Sequence, residues 1–443
     1  MLKQTITTIK ILMILGLLAI TLPSPADLNS EWQDQLNEFQ WEIAENTDSI
    51  PTEPLDSTVE LHQQLQEFQA KLKNRSVKIG IAYGVEKKLW LEWAVAEFKK
   101  MQFEVLGKDN DIINIELIRM GSVEGAETIL KQDSDAKLIQ VWIPASSLVR
   151  DWLVCRWKKL NNNQDPILSG TPLAYTPLVI LMWEQRYKEF IAKYHQVDFN
   201  TIAQALSERT GWAAIADKPE WGIFTFGHTT PTHSNSGLLT LVLMAYNYYL
   251  SKPEGEDNET IKELELEQIE NDNFVAWLKI AQKNIFTNPK TDVLMGKMLK
   301  LDPPDVESII IYENLALVKL NEQNKEKKAT LDEEAPDKLK IIYPPFNIWN
   351  DNPYYILNVP WNTQEQRRAA KLFQEFLLSE NAQKVARDQS SFRPANSKIP
   401  LLEKGNLFDK FQNRVQIRFP KVPPLRAEVL EQILKIWESN ENK

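Results

Sequence analysis

One pattern of apolar and polar positions occurs three times in succession near the start of the chain's main body. Val77, Ile79 and Ile81 alternate with Lys78 and Gly80, which predicts a strand. Tyr83-Gly84-Val85 then turns the chain into a helix from Glu86 to about Lys100, with Trp90, Trp93, Ala94 and Phe98 as its apolar positions. Ile113, Ile115 and Leu117 predict a second strand ending at Met120-Gly121-Ser122, with a helix from Val123 to Leu130. Leu138 to Ile143 predicts a third, ending at Pro144-Ala145-Ser146-Ser147 before a helix from Leu148 to Trp157. Three βα units in a row imply α/β architecture, a parallel sheet with helices on both faces. In open sheets of this kind ligands bind outside the carboxyl ends of the strands.

Further along, Pro172 to Trp183 is a continuous apolar run, predicted to be a buried segment passing into a second region. Trp221 to Phe226 predicts a short aromatic strand, followed by a polar loop and an apolar helix from Leu238 to Leu250. The loop ends in Ser234-Asn235-Ser236-Gly237, residue types that cap a helix start through their side-chain oxygens. An ordinary capped helix and a ligand-facing helix start both fit that stretch. Glu254 to Asp272 is acidic and is predicted to be a solvated insertion. Helices are predicted at 274–281, from 288 through 298, and at 364–378, 381–388 and 425–437; strands at 309–312, 341–345 and 354–359. Residues 321–338 are charged and are predicted to form a loop.

Ahead of the body, Trp32, Leu36, Phe39 and Ile43, and again Leu61, Leu65, Phe68 and Leu72, fall at helical spacing on either side of a Pro-containing linker at 49–54. Two amphipathic helices set apart from the main body, docking on it or on a partner, and a loosely ordered leader both fit this acidic segment, 27–74. At the N-terminus, Lys3 and Lys10 precede the apolar run Ile11 to Leu22 and then Pro23-Ser24-Pro25-Ala26. The run is short of the roughly 20 residues that span a membrane, and its layout is that of a secretory signal, residues 1–26. An uncleaved anchor fits the same features. No cysteine follows the run, so a lipid-attachment site is not expected. The expected location is periplasmic or extracellular.

Composition narrows the possible activities. The net charge of −10, without a dense Lys/Arg run, argues against nucleic acid as a partner. The one cysteine, Cys155, can form no intrachain disulfide and reads as a small hydrophobe. Glycine-rich nucleotide loops, paired CxxC, H-E-x-x-H and G-x-S-x-G are all absent from the sequence. His228 and His233 share one loop, a weak signal for metal. No cofactor, no metal and no enzymatic activity are therefore expected. Several loops of neutral hydrogen-bonding residues at strand-to-helix junctions remain. Such groups suit a polar or anionic small molecule held without covalent change. The candidate ligand-binding residues are Tyr83, Ser122, Ser146, Thr229, Ser234, Ser236, Tyr312 and Asn314.

Across about residues 77–420 the chain resembles the bacterial extracellular solute-binding proteins of the type II periplasmic-binding fold, in the group often fused to a von Willebrand A domain. The stretches that carry the resemblance are Tyr83 to Lys88, Met120 to Gly125, Pro144 to Leu148, TPLVILMWE (176–184), WGIFTFGHTTPTHSNSGLL (221–239), YENLA (312–316), NIWNDNPYYIL (347–357) and SFRPAN (391–396). Gly121-Ser122 stands where distantly similar molybdate- and sulfate-type proteins contact an oxyanion. The resemblance implies two lobes, 75–174 plus 346–443 and 175–345, with a small ligand between them and an N-terminal helical extension. It also implies an ABC-type permease or a sensor as partner, with a von Willebrand A-type partner as a further option. The chain has no D-x-S-x-S motif, so a metal-dependent adhesion role is not implied. An envelope scaffold that keeps the fold without transport is the alternative function.

Overall fold

In the computed structural model the described residues are 58–73, 75–107, 112–250, 261–299, 306–330 and 339–441. The expected signal segment, the 32–43 helix and the linker at 49–54 lie outside them. The alternation at the start of the body does produce a strand, β1 (Val77–Tyr83), whose Ile79 and Ile81 are fully buried. It is the second strand of a five-stranded sheet ordered β2 (Ile113–Arg119), β1, β3 (Val141–Ile143), β11 (Pro353–Leu357), β4 (Ile167–Pro172). β1 runs parallel to both its neighbours, whereas β11 pairs antiparallel with β3 and β4. Helices Thr58–Leu72, Lys88–Leu106, Gln364–Leu378 and Glu380–Ser390 supply the apolar residues of one core against this sheet. Helices Ser122–Lys131 and Leu148–Leu160 pack into the other core, around Ala82 and Trp142.

The run from Pro172 to Trp183 divides into three parts. β4 ends in the first sheet, β5 (Ala174–Tyr175) pairs with β12 (Arg393–Pro394), and β6 (Leu178–Trp183) enters a second sheet. That sheet is ordered β10 (Leu339–Ile342), β6, β9 (Ser308–Tyr312), β7 (Phe226–Thr229), β8 (Ile285–Asn288), with parallel pairing only among β9, β7 and β8. All six residues of β6 are buried, which is why its sequence shows no alternation. The chain returns to the first sheet through 343–352. Thr176 and Asn350 exchange backbone hydrogen bonds, each of 3.0 Å, so the two crossing segments run antiparallel at the junction of the lobes. The side-chain amides of Asn350 and Asn352 bond the facing carbonyls of Thr176 (3.0 Å) and Ala174 (3.1 Å), tying these segments together a second time.

Several local predictions differ from the structure; the stretch 254–272, expected to be a solvated insertion, puts Leu264 and Ile269 into the core. Trp221 to Phe226 is not a strand. Pro219–Trp221 is a 3-10 turn, Gly222 takes φ 76°, and the strand is β7, further along. The aromatic residues serve side-on packing instead: the Arg186 guanidinium lies 3.5 Å from the Trp221 ring centre and Trp212 packs edge-on. The charged stretch after 320 is helical as far as Thr330, in the helix Glu313–Thr330. Its Glu, Lys and Gln residues lose little side-chain freedom in a helix, so polarity alone did not make it a loop. Helix Asn235–Leu250 is buried on every side from Asn235 to Asn247, as the apolar run from Leu238 to Leu250, broken only by Thr240 and Asn247, requires. The last helix, Ala427–Glu441, packs against both the 148–160 helix and the 235–250 helix. Among the described residues no helix is long and apolar enough to cross a membrane.

Candidate ligand site between the two lobes

β1 and β2 deliver Gly84 and Arg119 to the carboxyl edge of the first sheet. β8 and β9 deliver Pro289 and Tyr312 to the facing edge of the second. A cavity of about 330 Å³ lies between them, lined from the first lobe by Gly84 to Glu86, Arg119 to Ser122 and Glu124. The second lobe contributes His233, Ser234, Pro289 to Thr291 and Tyr312. Helices Ser122–Lys131 and Thr291–Leu299 start at its wall. Their unpaired N–H groups make that edge favourable for oxygen atoms and negative charge.

The lobes touch directly beside the cavity. A Cβ at Gly121 would sit 2.1 Å from the His233 carbonyl oxygen, so only glycine allows this approach. The Glu124 N–H donates to that same carbonyl at 3.3 Å, and the Gly121 N–H donates to the Glu124 carboxylate at 2.9 Å. Two of the donors at this helix start are thus already bonded within the protein. Arg119 and Asp292 form an ion pair at 2.8 Å across the same gap. Burial works against ionisation of Asp292, but hydrogen bonding to Arg119 and its charge outweigh this and hold the carboxyl below its ordinary value. Lys290 makes no ion pair among the described residues.

Deeper in, the groups are neutral or paired. The Tyr312 hydroxyl accepts from the Asn235 amide at 3.1 Å, and the same amide donates to Asn350 at 2.8 Å. Burial, then the charge of Glu86, pushes the Tyr312 phenol well above its ordinary value, so it stays protonated. Glu86 is paired with Lys87, whose ammonium also donates to Asn352 at 3.0 Å. Burial pulls the Lys87 ammonium down, against the pull of Glu86.

The structure separates the eight candidate residues by position. Ser122, Ser234 and Tyr312 line the cavity. The Ser122 hydroxyl accepts from the Ala145 N–H at 3.0 Å, leaving its own proton to donate. Thr229 and Ser236 stand behind Ser234 in a hydroxyl chain of 2.7 and 3.2 Å. Tyr83 packs in the core beneath the cavity. Ser146 accepts the Leu148 N–H at 3.2 Å at a helix start. Asn314 bonds the carbonyls of Glu86 and Ser390, each at 3.2 Å, and braces one lobe on the other. His228 is fully buried, bonded to Thr229 and Gln282, and burial lowers its pKa. Among the described residues no group of three or more His, Cys, Asp or Glu could hold a metal ion.

Sequence reasoning missed Glu86, Arg119, Glu124, Lys290 and Thr291 as cavity residues. Asn288-Pro289-Lys290-Thr291-Asp292 was legible as a helix start. What could not be read was that β8, the strand before it, lies at the edge of the second sheet and aims that start at the first lobe.

Two α/β lobes, a pair of crossing segments and a polar cavity at the facing strand ends are the architecture of a two-lobed binding-protein fold. The family model for bacterial extracellular solute-binding proteins matches residues 81–389, and the chain belongs to that family. Its fold is similar to the ferric binding protein from Campylobacter jejuni, at 15% identity and a TM-score of 0.50, covering 82% of this chain and 99% of that one. It is similar also to the substrate binding protein of an ABC transporter from Agrobacterium tumefaciens, at 12% identity and a TM-score of 0.50, covering 82% and 94%. At these identities the likeness concerns the fold. No curated protein matches the chain.

Proposed function

We propose that this protein captures a small polar or anionic solute in the interlobe cavity, outside the cytoplasm, and hands it to an ABC-type permease or a sensor. The observation that carries the reading is the cavity itself. At about 330 Å³ it suits a ligand of a few to a dozen heavy atoms, and its walls carry hydroxyls, two helix starts and Lys290, beside Glu86, Glu124 and Arg119, which are bonded within the protein. Ser122, Ser234 and Tyr312 are the proposed hydrogen-bonding contacts, with Lys290 facing negative charge. The proposed lobes are residues 75–174 plus 346–443 and 175–345.

The test is a titration panel of sulfate, phosphate, molybdate, small carboxylates and mono- and disaccharides, followed by Trp fluorescence and small-angle scattering. Saturable binding of one class, weakened at least tenfold by Tyr312→Phe with Ser234→Ala, is the expected result. No response from any class would overturn the reading.

A further inference from the structure

Two cations line the cavity, and the structure gives them different surroundings. Lys290 has no carboxylate partner among the described residues. Arg119, at the end of β2, is bonded to Asp292 on the opposite lobe at 2.8 Å. Beside this pair lies the backbone contact of Gly121 and Glu124 with His233, also from lobe to lobe. We propose that Arg119 and Asp292, with the Gly121–His233 contact, form a clamp that holds the lobes together before any solute enters. Arg119 is then a positioning residue, setting how long the cavity stays closed, and not the group that reads the ligand's charge.

Both side chains of the pair are substantially exposed, 39% and 47%, so water screens them and their effect is modest. A modest effect suffices, because a two-state equilibrium near balance responds directly to a few-fold change. The glycine contact is steric and steeper. An added Cβ cannot share space with a carbonyl 2.1 Å away, so an alanine at 121 excludes this approach of the lobes.

The consequence for a ligand rests on the proposed function, but the clamp can be measured without one. In the full-length protein carrying Cys155→Ser, spin labels are attached through Glu127→Cys and Gly296→Cys. These positions lie on the two helices that start at the cavity, and a side chain at 296 meets no other atom within 4 Å. Pulsed dipolar spectroscopy then reads the lobe-to-lobe distance of the ligand-free protein. A short-distance population is expected. It falls roughly two- to tenfold in Arg119→Asp and returns in the charge-swapped double variant Arg119→Asp, Asp292→Arg. It is lost in Gly121→Ala.

Absence of the short-distance population in the parent protein, no change in the single variants, or failure of the swap to restore it would each overturn the clamp. Circular dichroism and the thermal midpoint of each variant separate loss of closure from loss of fold. If the clamp behaves as expected and no solute binds, only the proposed function fails. If solutes bind and the distances do not respond, only the clamp fails.

Discussion

Glu313 and Arg393 show how strongly single residues can matter away from the cavity. Both side chains are fully buried, and two hydrogen bonds of 2.6 and 2.9 Å join them. Tyr343 donates to the same carboxylate, and Arg393 also bonds the carbonyls of Gln416 (2.6 Å) and Ile417 (3.3 Å). Replacing one partner leaves the other charge stranded. Glu313→Gln is therefore expected to cost about 3–5 kcal/mol in urea unfolding. A value under 1 kcal/mol would mean that the arginine finds other partners. Asp351 gives a pH effect of definite sign. Burial pushes its carboxyl up to about 6, only partly offset by the N–H of Ser147 at 2.7 Å. The folded value exceeds the unfolded value of about 3.9, so the native state holds this proton more tightly. The stability it contributes is fully present below about pH 4 and is lost as pH rises through about 6. Wild type should thus lose stability relative to Asp351→Asn between those values, as denaturation at stepped pH would show. A constant difference between the two proteins would remove Asp351 as the cause.

At the scale of elements, the helix Thr58–Leu72 settles a choice that its sequence left open. Leu61, Leu65, Phe68 and Leu72 recur at helical spacing and are all buried, against helices Lys88–Leu106 and Gln364–Leu378. This helix, 58–72, is part of the core against the first sheet. Leu65 is fully buried, so Leu65→Ala is expected to lower stability by about 2–5 kcal/mol. Gln63→Ala, on the exposed face of the same helix, should change it by less than about 0.5 kcal/mol. Equal effects in calorimetry would mean that the helix is not docked in solution. The spacing was legible because amphipathic periodicity is a local property. The docking partner was not, since helix Gln364–Leu378 lies three hundred residues further along the chain.

For the whole molecule, a ligand that binds only the folded, closed form must raise stability by mass action. At a concentration of one hundred times Kd the gain is about 2.7 kcal/mol. The solute identified by titration should raise the thermal midpoint in proportion to the logarithm of its concentration. In Gly121→Ala this rise should shrink, since that variant cannot make the closed contact around the ligand. An undiminished rise in the variant would show that binding needs no closure. The helix Ala427–Glu441 touches both lobes, packing on helix Leu148–Leu160 in one and on helix Asn235–Leu250 in the other, and Arg426 just before it pairs with Glu263 of the second lobe at 3.2 Å.

The sequence by itself determined the βα units, the apolar strand β6 and the polar character of the junction loops. Each of these follows from side-chain periodicity over a few residues. Ser122, Ser234 and Tyr312, which line the cavity, were among its candidate ligand-binding residues. Only the tertiary structure distinguished them from Ser146, Thr229 and Ser236, which have the same chemistry at similar junctions but do not line the cavity. The opposition of Arg119 to Asp292, of Gly121 to His233 and of Asn350 to Thr176 was likewise decided by folding. These partners are more than one hundred residues apart, and no local pattern encodes which sheet edge will face which.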